Sequence, residues 1–369
     1  MLKRFTVENF KGFRDKLIFD LGAREYEFNQ GLVCDGVVSK AIVYGPNGIG
    51  KSSLGIALFD IIAHLTDKER MKPQYLVNYR NLESDRQDIL FSYLFVFDGV
   101  DVFYEYAKTG VEDLVWEKLT INNEVVIDYD FSDPARRFVD RGLVGSLNIG
   151  LTDNKLSVVK YVFRNLPTGT IPLLDRLVRF CDNMLWYRSL SDGNTYAGFI
   201  NGGANLFKVI YEKNALQELQ EFLLNNGLDY DLGFEMENDA PVIYAYFDGR
   251  KRKANFSRLA STGTMALLLY FVWKIMSFGK ISLLFIDEFD AFFHYQSAEK
   301  IVRQLNELEG FQTILTTHNT YLMQNRLTRP DCCFLMSQGK IANLYDSTDK
   351  EIREAHNLEK MYIGGAFRE

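Results

Sequence analysis

With 369 residues, 47% of them hydrophobic and 25% charged, the chain has the composition of an ordinary globular protein and ample material for a core. Its longest apolar stretch, residues 265–276, is interrupted by Lys274 and falls short of the roughly 20 residues a bilayer requires, so no membrane partner is expected. A net charge of −7 argues against nonspecific coating of nucleic acid, and the four irregularly spaced cysteines suit neither a disulfide framework nor a zinc site.

The opening MLKRFTVENF has no apolar signal core behind its basic pair, so export is not expected and a reducing, cytoplasmic setting is. Residues 2–10 alternate as a strand, with residues 17–21 as its neighbour, and residues 41–44 (AIVY) are a short buried strand feeding a glycine-rich loop. The apolar spacing of residues 53–65 predicts a helix. Residues 88–128 turn to strand composition around turn signals at Asp98-Gly99 and Asn122-Asn123. From 131 to about 240 the pattern is mixed, with helices expected at residues 173–183 and 215–225 and no heptads to support a coiled-coil arm. An α/β texture then returns: a strand at 242–247, a turn at Asp248-Gly249, a helix at 263–278 and a strand at 281–286. A helix at 297–308 and strands at 313–316 and 332–336 come next, the last holding Cys332 and Cys333, read as strand packing. The two α/β ends are expected to form one sheet, with the middle inserted between them.

The chemistry lies in the segments just after three of these strands. Gly45-Pro46-Asn47-Gly48-Ile49-Gly50-Lys51-Ser52-Ser53 satisfies the phosphate-loop pattern between a strand and a helix. Glycines let backbone N–H groups approach phosphates, the helix N-terminus favours negative charge, Lys51 reaches the β- and γ-phosphates, and Ser52 can ligate Mg²⁺. Asp287 and Glu288 end the apolar run LLFI, where open α/β sheets bind ligands; Asp287 is suited to the Mg²⁺ shell and Glu288 to polarising a water. His318, after the strand at 313–316, is placed to sense a γ-phosphate, or is a structural histidine. Ser261 and Gly263 open the helix before Asp287, either as an anion site or as a plain N-cap. The run Arg250-Lys251-Arg252-Lys253, with Arg258, reads as solvated turn charge, contact with nucleic-acid phosphates being the alternative.

With these motifs in order, the chain resembles the ABC ATPases, within them the branch of SMC, RecF and the overcoming-lysogenization-defect proteins, on FTVENFKGF, GPNGIGKSS, the variant signature LASTGT, LLFIDE and TTHN. The tail REAHNLEKMYIGGAF resembles compact AAA-like ATPases of bacterial phage-defence modules. The resemblance covers about 220 residues at the two ends. It implies an α/β ABC-type P-loop head, a mixed sheet with helices plus an antiparallel β subdomain, with an inserted, mainly helical subdomain. Its parts would be an N-terminal lobe (1–130), the insert (131–240) and a C-terminal lobe (241–369). It implies ATP and Mg²⁺, hydrolysis, and an ATP-sandwich homodimer in which Ser261 and Gly263 of one subunit meet the γ-phosphate held by Lys51 of the other. The metal-shell glutamine would be Gln87 or Gln74, and Lys11 matches a basic position that reaches the phosphates, or is simply exposed. The Ser-Thr-Gly-Thr signature and FDAFFH after Glu288 disfavour a transporter subunit, and neither an SMC-type arm nor a Toprim-type acidic cluster is present. The function expected is an ATPase acting as sensor or regulatory subunit of an antiviral module, with an effector or toxin from a neighbouring gene as partner and weak nucleic-acid binding. The alternatives are a RecF-like DNA-repair ATPase and an antitoxin-like scaffold holding a toxin.

Overall fold

The computed structural model describes residues 1–68, 71–145, 147–188, 196–199 and 205–368. Two seven-stranded sheets organise it. The first is antiparallel and arises from hairpin chemistry. Ile89–Phe97 alternates buried and part-exposed residues along its whole length, and it returns as Val100–Lys108 through Asp98 and Gly99, both at positive φ. Asn122 and Asn123 make the same kind of turn between Leu114–Ile121 and Glu124–Asp130. Leu2–Glu8 pairs with Ile89–Phe97 on one side and Leu17–Asp20 on the other, so the chain start closes this sheet.

The second sheet carries the candidate site. Met184–Arg188, Leu283–Asp287, Gln312–Thr317, Lys40–Tyr44 and Cys333–Ser337 lie side by side in that order, all parallel. All five of these strands are buried almost throughout, as strands covered on both faces must be. Val43, Phe285 and Ile314 face a core shared with Leu54 and the aromatics Phe5 and Tyr93 of the first sheet. Ile42, Leu284, Ile286 and Leu315 face the opposite core, against Leu268, Trp273 and Ile301 of two helices, Thr262–Ser277 and Tyr295–Glu307.

Three differences from the sequence reading have physical causes. The second sheet is built from three parts of the chain rather than two, because Met184–Arg188 from the middle stretch is inserted as a core strand. Its residues Met-Leu-Trp-Tyr form the same uninterrupted apolar run as the neighbouring strands. Arg137–Val139, also from that stretch, extends the antiparallel sheet, while Val158–Asn165, Pro172–Asp182, Leu206–Glu212 and Leu216–Asn225 are helices. The helix after the phosphate loop is two helices, Lys51–Leu58 and Asp60–Leu65, broken at Phe59. The strand ahead of the double carboxylate runs through Asp287 itself, so that carboxylate sits on a paired residue and not on a loop. Among the described residues no helix is long and apolar enough to cross a membrane.

Candidate functional site

Parallel strands in register finish together, so the segments leaving their C-terminal ends line up along one edge. Tyr44 stands opposite Thr317, and Ile286 opposite Leu315. The phosphate loop, the double carboxylate and His318 therefore leave the sheet side by side.

The loop itself is shaped by glycine. Gly50 sits at φ 112°, and a Cβ there would lie 3.0 Å from the Phe13 ring, so only glycine lets the chain enter the helix at this point. Lys51 is the first helical residue. Its ammonium donates to the carbonyls of Gly45 (2.6 Å) and Pro46 (2.9 Å), which holds it folded back over the loop, and burial lowers its pKa. Ser52 Oγ donates to Asp287 Oδ2 at 2.6 Å, joining the start of the phosphate helix to the carboxylate strand across 235 residues.

Asp287 is fully buried, and burial raises its pKa against hydrogen bonds from Ser52 and Thr316. Thr316 Oγ1 donates to Asp287 Oδ1 at 2.7 Å and accepts from the Glu288 backbone N–H at 2.8 Å. That second bond holds Glu288 at φ 49°, a left-handed backbone uncommon for a side-chain-bearing residue. Glu288 itself is half-buried and meets Arg188, whose Nη2 and Nε lie 2.6 and 3.2 Å from Oε2. Arg188 Nε is also 3.6 Å from Asp287 Oδ2. Burial opposes the charge on Arg188, but the two carboxylates more than offset it and raise its pKa. Just beyond, Asp290 accepts from Thr317 Oγ1, Asn319 Nδ2 and Tyr321 OH, tying the turn after Glu288 to the segment around His318. The donor set fits a divalent cation bound through phosphates: a hydroxyl and a buried carboxylate already in contact, beside a lysine positioned by loop carbonyls.

Residues 40–324 match the family described as "AAA domain, putative AbiEii toxin, Type IV TA system". The chain belongs to this AAA-domain family. No curated protein matches the sequence. Among solved structures, this AAA-domain chain is similar to the SMC head domain from Thermotoga maritima, with 15% identity and a TM-score of 0.41 over 92% of this chain and 97% of that one. It is also similar to an SMC head domain with an extended coiled coil, bound to the C-terminal domain of ScpA, derived from Pyrococcus furiosus; identity is 11%, TM-score 0.42, coverage 94% and 97%. RecF in complex with ATP, the recombination mediator of the RecFOR pathway, shows 13% identity and a TM-score of 0.38 over 93% of this chain and 99% of that one. Family membership rests on the sequence match.

Within the AAA-domain chain the expected site residues do not all converge. Gly45, Pro46, Asn47, Gly48, Gly50, Lys51, Ser52 and Ser53 form the loop and first helical turn, with Asp287 and Glu288 against it. His318 is exposed at the strand tip. Ser261 and Gly263 lie at the N-terminus of Thr262–Ser277, where Ser261 Oγ accepts from the Thr264 N–H at 3.2 Å as an N-cap, and a Cβ on Gly263 would come 2.7 Å from the Phe292 carbonyl. Lys11 donates to the Val77 carbonyl at 2.7 Å, and Gln87 is exposed and accepts from Arg80, so the structure brings neither to the Ser52–Asp287 contact. Arg250 and Lys253 are ion-paired with Asp231 and Glu235 on a three-stranded sheet, which neutralises half of the basic run. Two residues escaped the sequence reading. Thr316 stands inside the quoted TTHN motif, two residues before the histidine that drew attention. Arg188 ends an apolar run as Asp287 does, and that shared format was the available signal.

Proposed function

We propose that this chain binds and hydrolyses ATP with Mg²⁺, dimerises on ATP, and acts in the cytoplasm as the sensor or regulatory subunit of an antiviral module whose effector is a separate protein. The observation that carries the ATPase reading is the hydrogen-bonded chain Ser52–Asp287–Thr316–Glu288, which joins three sequence-distant motifs at one edge of the sheet. In this reading the Lys51 ammonium leaves the Gly45 and Pro46 carbonyls for the β- and γ-phosphates, and the loop N–H groups hold the same oxygens. Ser52 and Asp287 would hold Mg²⁺, which neutralises phosphate charge. Glu288 orients a water and takes its proton, and His318, exposed at the neighbouring strand tip, contacts the γ-phosphate. For Lys11 and Gln87 to join, each must release its present partner, Val77 or Arg80.

Dimerisation is supported by the surface around the signature. Leu259 and Phe292 are large apolar residues 42% and 41% exposed beside Ser261 and Gly263, apolar surface suited to covering by a second copy. Ser261 and Gly263 would then be presented to the partner's γ-phosphate. The family's description names a toxin and a toxin–antitoxin system, which supports a two-component module and leaves an antitoxin-like scaffold as the second reading. The effector would dock on the 131–240 stretch. Ion pairing of Arg250 and Lys253 weighs against a RecF-like DNA role.

The test compares Lys51→Ala, Glu288→Gln and wild type for nucleotide binding, hydrolysis and mass in solution. Lys51→Ala is expected to lose ATP binding. Glu288→Gln should retain ATP and accumulate as a dimer while turnover falls by roughly 10²–10⁴-fold. Full turnover by Glu288→Gln would remove that residue from the mechanism, and a monomer at saturating ATP would remove the shared site. Phage plating on cells carrying this gene and its neighbour, with and without Lys51→Ala, tests the defence role; equal plaque counts would refute it.

A further inference from the structure

The strand Met184–Arg188 runs parallel to Leu283–Asp287 with Arg188 opposite Asp287. Directly opposed residues on adjacent parallel strands project to the same face, so Arg188 leaves the sheet beside the carboxylates. Both guanidinium contacts to Glu288 fall on one oxygen, Oε2, at 2.6 and 3.2 Å. Among the described residues Oε1 has no hydrogen-bond partner. The backbone of Glu288 is held independently, at φ 49° with its N–H on Thr316 Oγ1. The backbone of this residue is thus fixed by Thr316 and its carboxylate by Arg188. With side chains about 30% exposed (29% and 33%), the pair is worth little as a stabilising ion pair, but it restricts where the carboxylate points.

We propose that Arg188 is a positioning residue for hydrolysis, gripping Glu288 by Oε2 so that Oε1 alone is presented to the attacking water; this rests on the ATPase reading above. In that step a water proton passes to Oε1 and the water oxygen bonds to the γ-phosphorus. The bond from that phosphorus to the bridging oxygen breaks, ADP keeps the electron pair, and the guanidinium keeps its protons throughout. Arg188 also lies 3.6 Å from Asp287 Oδ2, but among the described residues its side-chain hydrogen bonds go to Glu288, so its effect on kcat should appear only while Glu288 can act as a base.

The experiment measures kcat, KM, affinity for a fluorescent ATP analogue and melting temperature for Arg188→Ala, Arg188→Lys, Glu288→Gln and the Arg188→Ala/Glu288→Gln double variant. Arg188→Ala is expected to lower kcat by about 10- to 100-fold, the cost of a misdirected catalytic group, with KM and analogue affinity within about threefold of wild type. Arg188→Lys, which keeps a cation within reach of Oε2, should recover part of the loss. In the Glu288→Gln background Arg188→Ala should add nothing, since the two act as a unit. A wild-type kcat for Arg188→Ala, or a loss that multiplies with that of Glu288→Gln, overturns the proposal. So does a kcat loss matched by a fall in melting temperature that Arg188→Lys does not repair. Wild type no faster than the Lys51→Ala blank would refute the ATPase reading itself, an outcome distinct from normal turnover by Arg188→Ala beside an active wild type.

Discussion

Thr316 is the residue on which the geometry of the carboxylates turns. Its hydroxyl donates to Asp287 Oδ1 and accepts from the Glu288 N–H, so a single oxygen orients the buried carboxylate and pins the left-handed backbone of its neighbour. Replacing it by valine keeps the shape and leaves an acceptor and a donor without their partner. Thr316→Val is expected to cost about 1–3 kcal/mol of stability, the usual penalty for an unsatisfied buried polar group, and to slow ATP turnover more than it weakens ATP binding. Denaturant unfolding with nucleotide titration checks this. Unchanged stability and turnover would show that Thr316 is a bystander.

At the scale of elements, the phosphate helix sits where it does because Gly55 lets it. A Cβ at Gly55 would lie 2.7 Å from the Phe285 ring and 2.9 Å from Trp186 Nε1, so Lys51–Leu58 packs directly onto the carboxylate strand and the Arg188 strand at once. Overpacking such a contact costs about 1–3 kcal/mol. That exceeds the gain of about 1 kcal/mol that alanine has over glycine inside a helix. Gly55→Ala should therefore lower the unfolding midpoint and weaken ATP binding together, because lifting the helix moves Ser52 away from Asp287. A stabilised Gly55→Ala protein with normal ATP affinity would mean the sheet yields and the helix does not depend on this approach. The sequence reading saw the helix but not its seat: residues 53–65 carry helical spacing, whereas the Phe285 ring that meets Gly55 belongs to a strand far along the chain. For Arg188 only the apolar run that it ends was a local signal, since the strand that presents it becomes a site element only by pairing with Leu283–Asp287.

Across the whole molecule, a buried polar network ties the nucleotide end to the antiparallel sheet. Behind the phosphate helix, Asp60 accepts from Lys108 Nζ (2.6 Å) and Tyr106 OH (2.8 Å), and from Tyr79. His64 meets Tyr104, which donates to Glu117 at 2.8 Å, and Glu117 in turn accepts from Ser157 and the Val158 N–H at the start of the Val158–Asn165 helix. Burial lowers the pKa of His64, with Glu117 opposing, so the folded protein holds this imidazole neutral at pH values where an unfolded chain would protonate it. By linkage, the stabilisation is complete above the ordinary histidine value, about 6.5, and is lost as pH falls below it. Melting temperature should drop from pH 7 to pH 5, by the equivalent of at most about 1.4 kcal/mol per pH unit for this one proton. His64→Gln, which still offers Tyr104 a neutral partner, should flatten that slope; an identical slope in the variant would place the titration elsewhere.

The sequence by itself determined whatever is written locally: the hairpins with Asp-Gly and Asn-Asn turns, the apolar strands, and the loop Gly45–Ser53 with its lysine and hydroxyl. Each depends on neighbours a few residues away, through backbone conformation, periodicity or the format of an apolar run ending in charge. Tertiary structure alone decided which parallel strands lie side by side. That choice put Met184–Arg188 next to the double carboxylate, set Thr316 between Asp287 and Glu288, tied Lys11 and Gln87 to Val77 and Arg80, and neutralised Arg250 and Lys253 with acids on a neighbouring strand. The physical reason is range. A turn or a helix is stabilised by contacts within one or two turns of chain, while parallel strands pair only after long crossovers, and no local pattern records the partner.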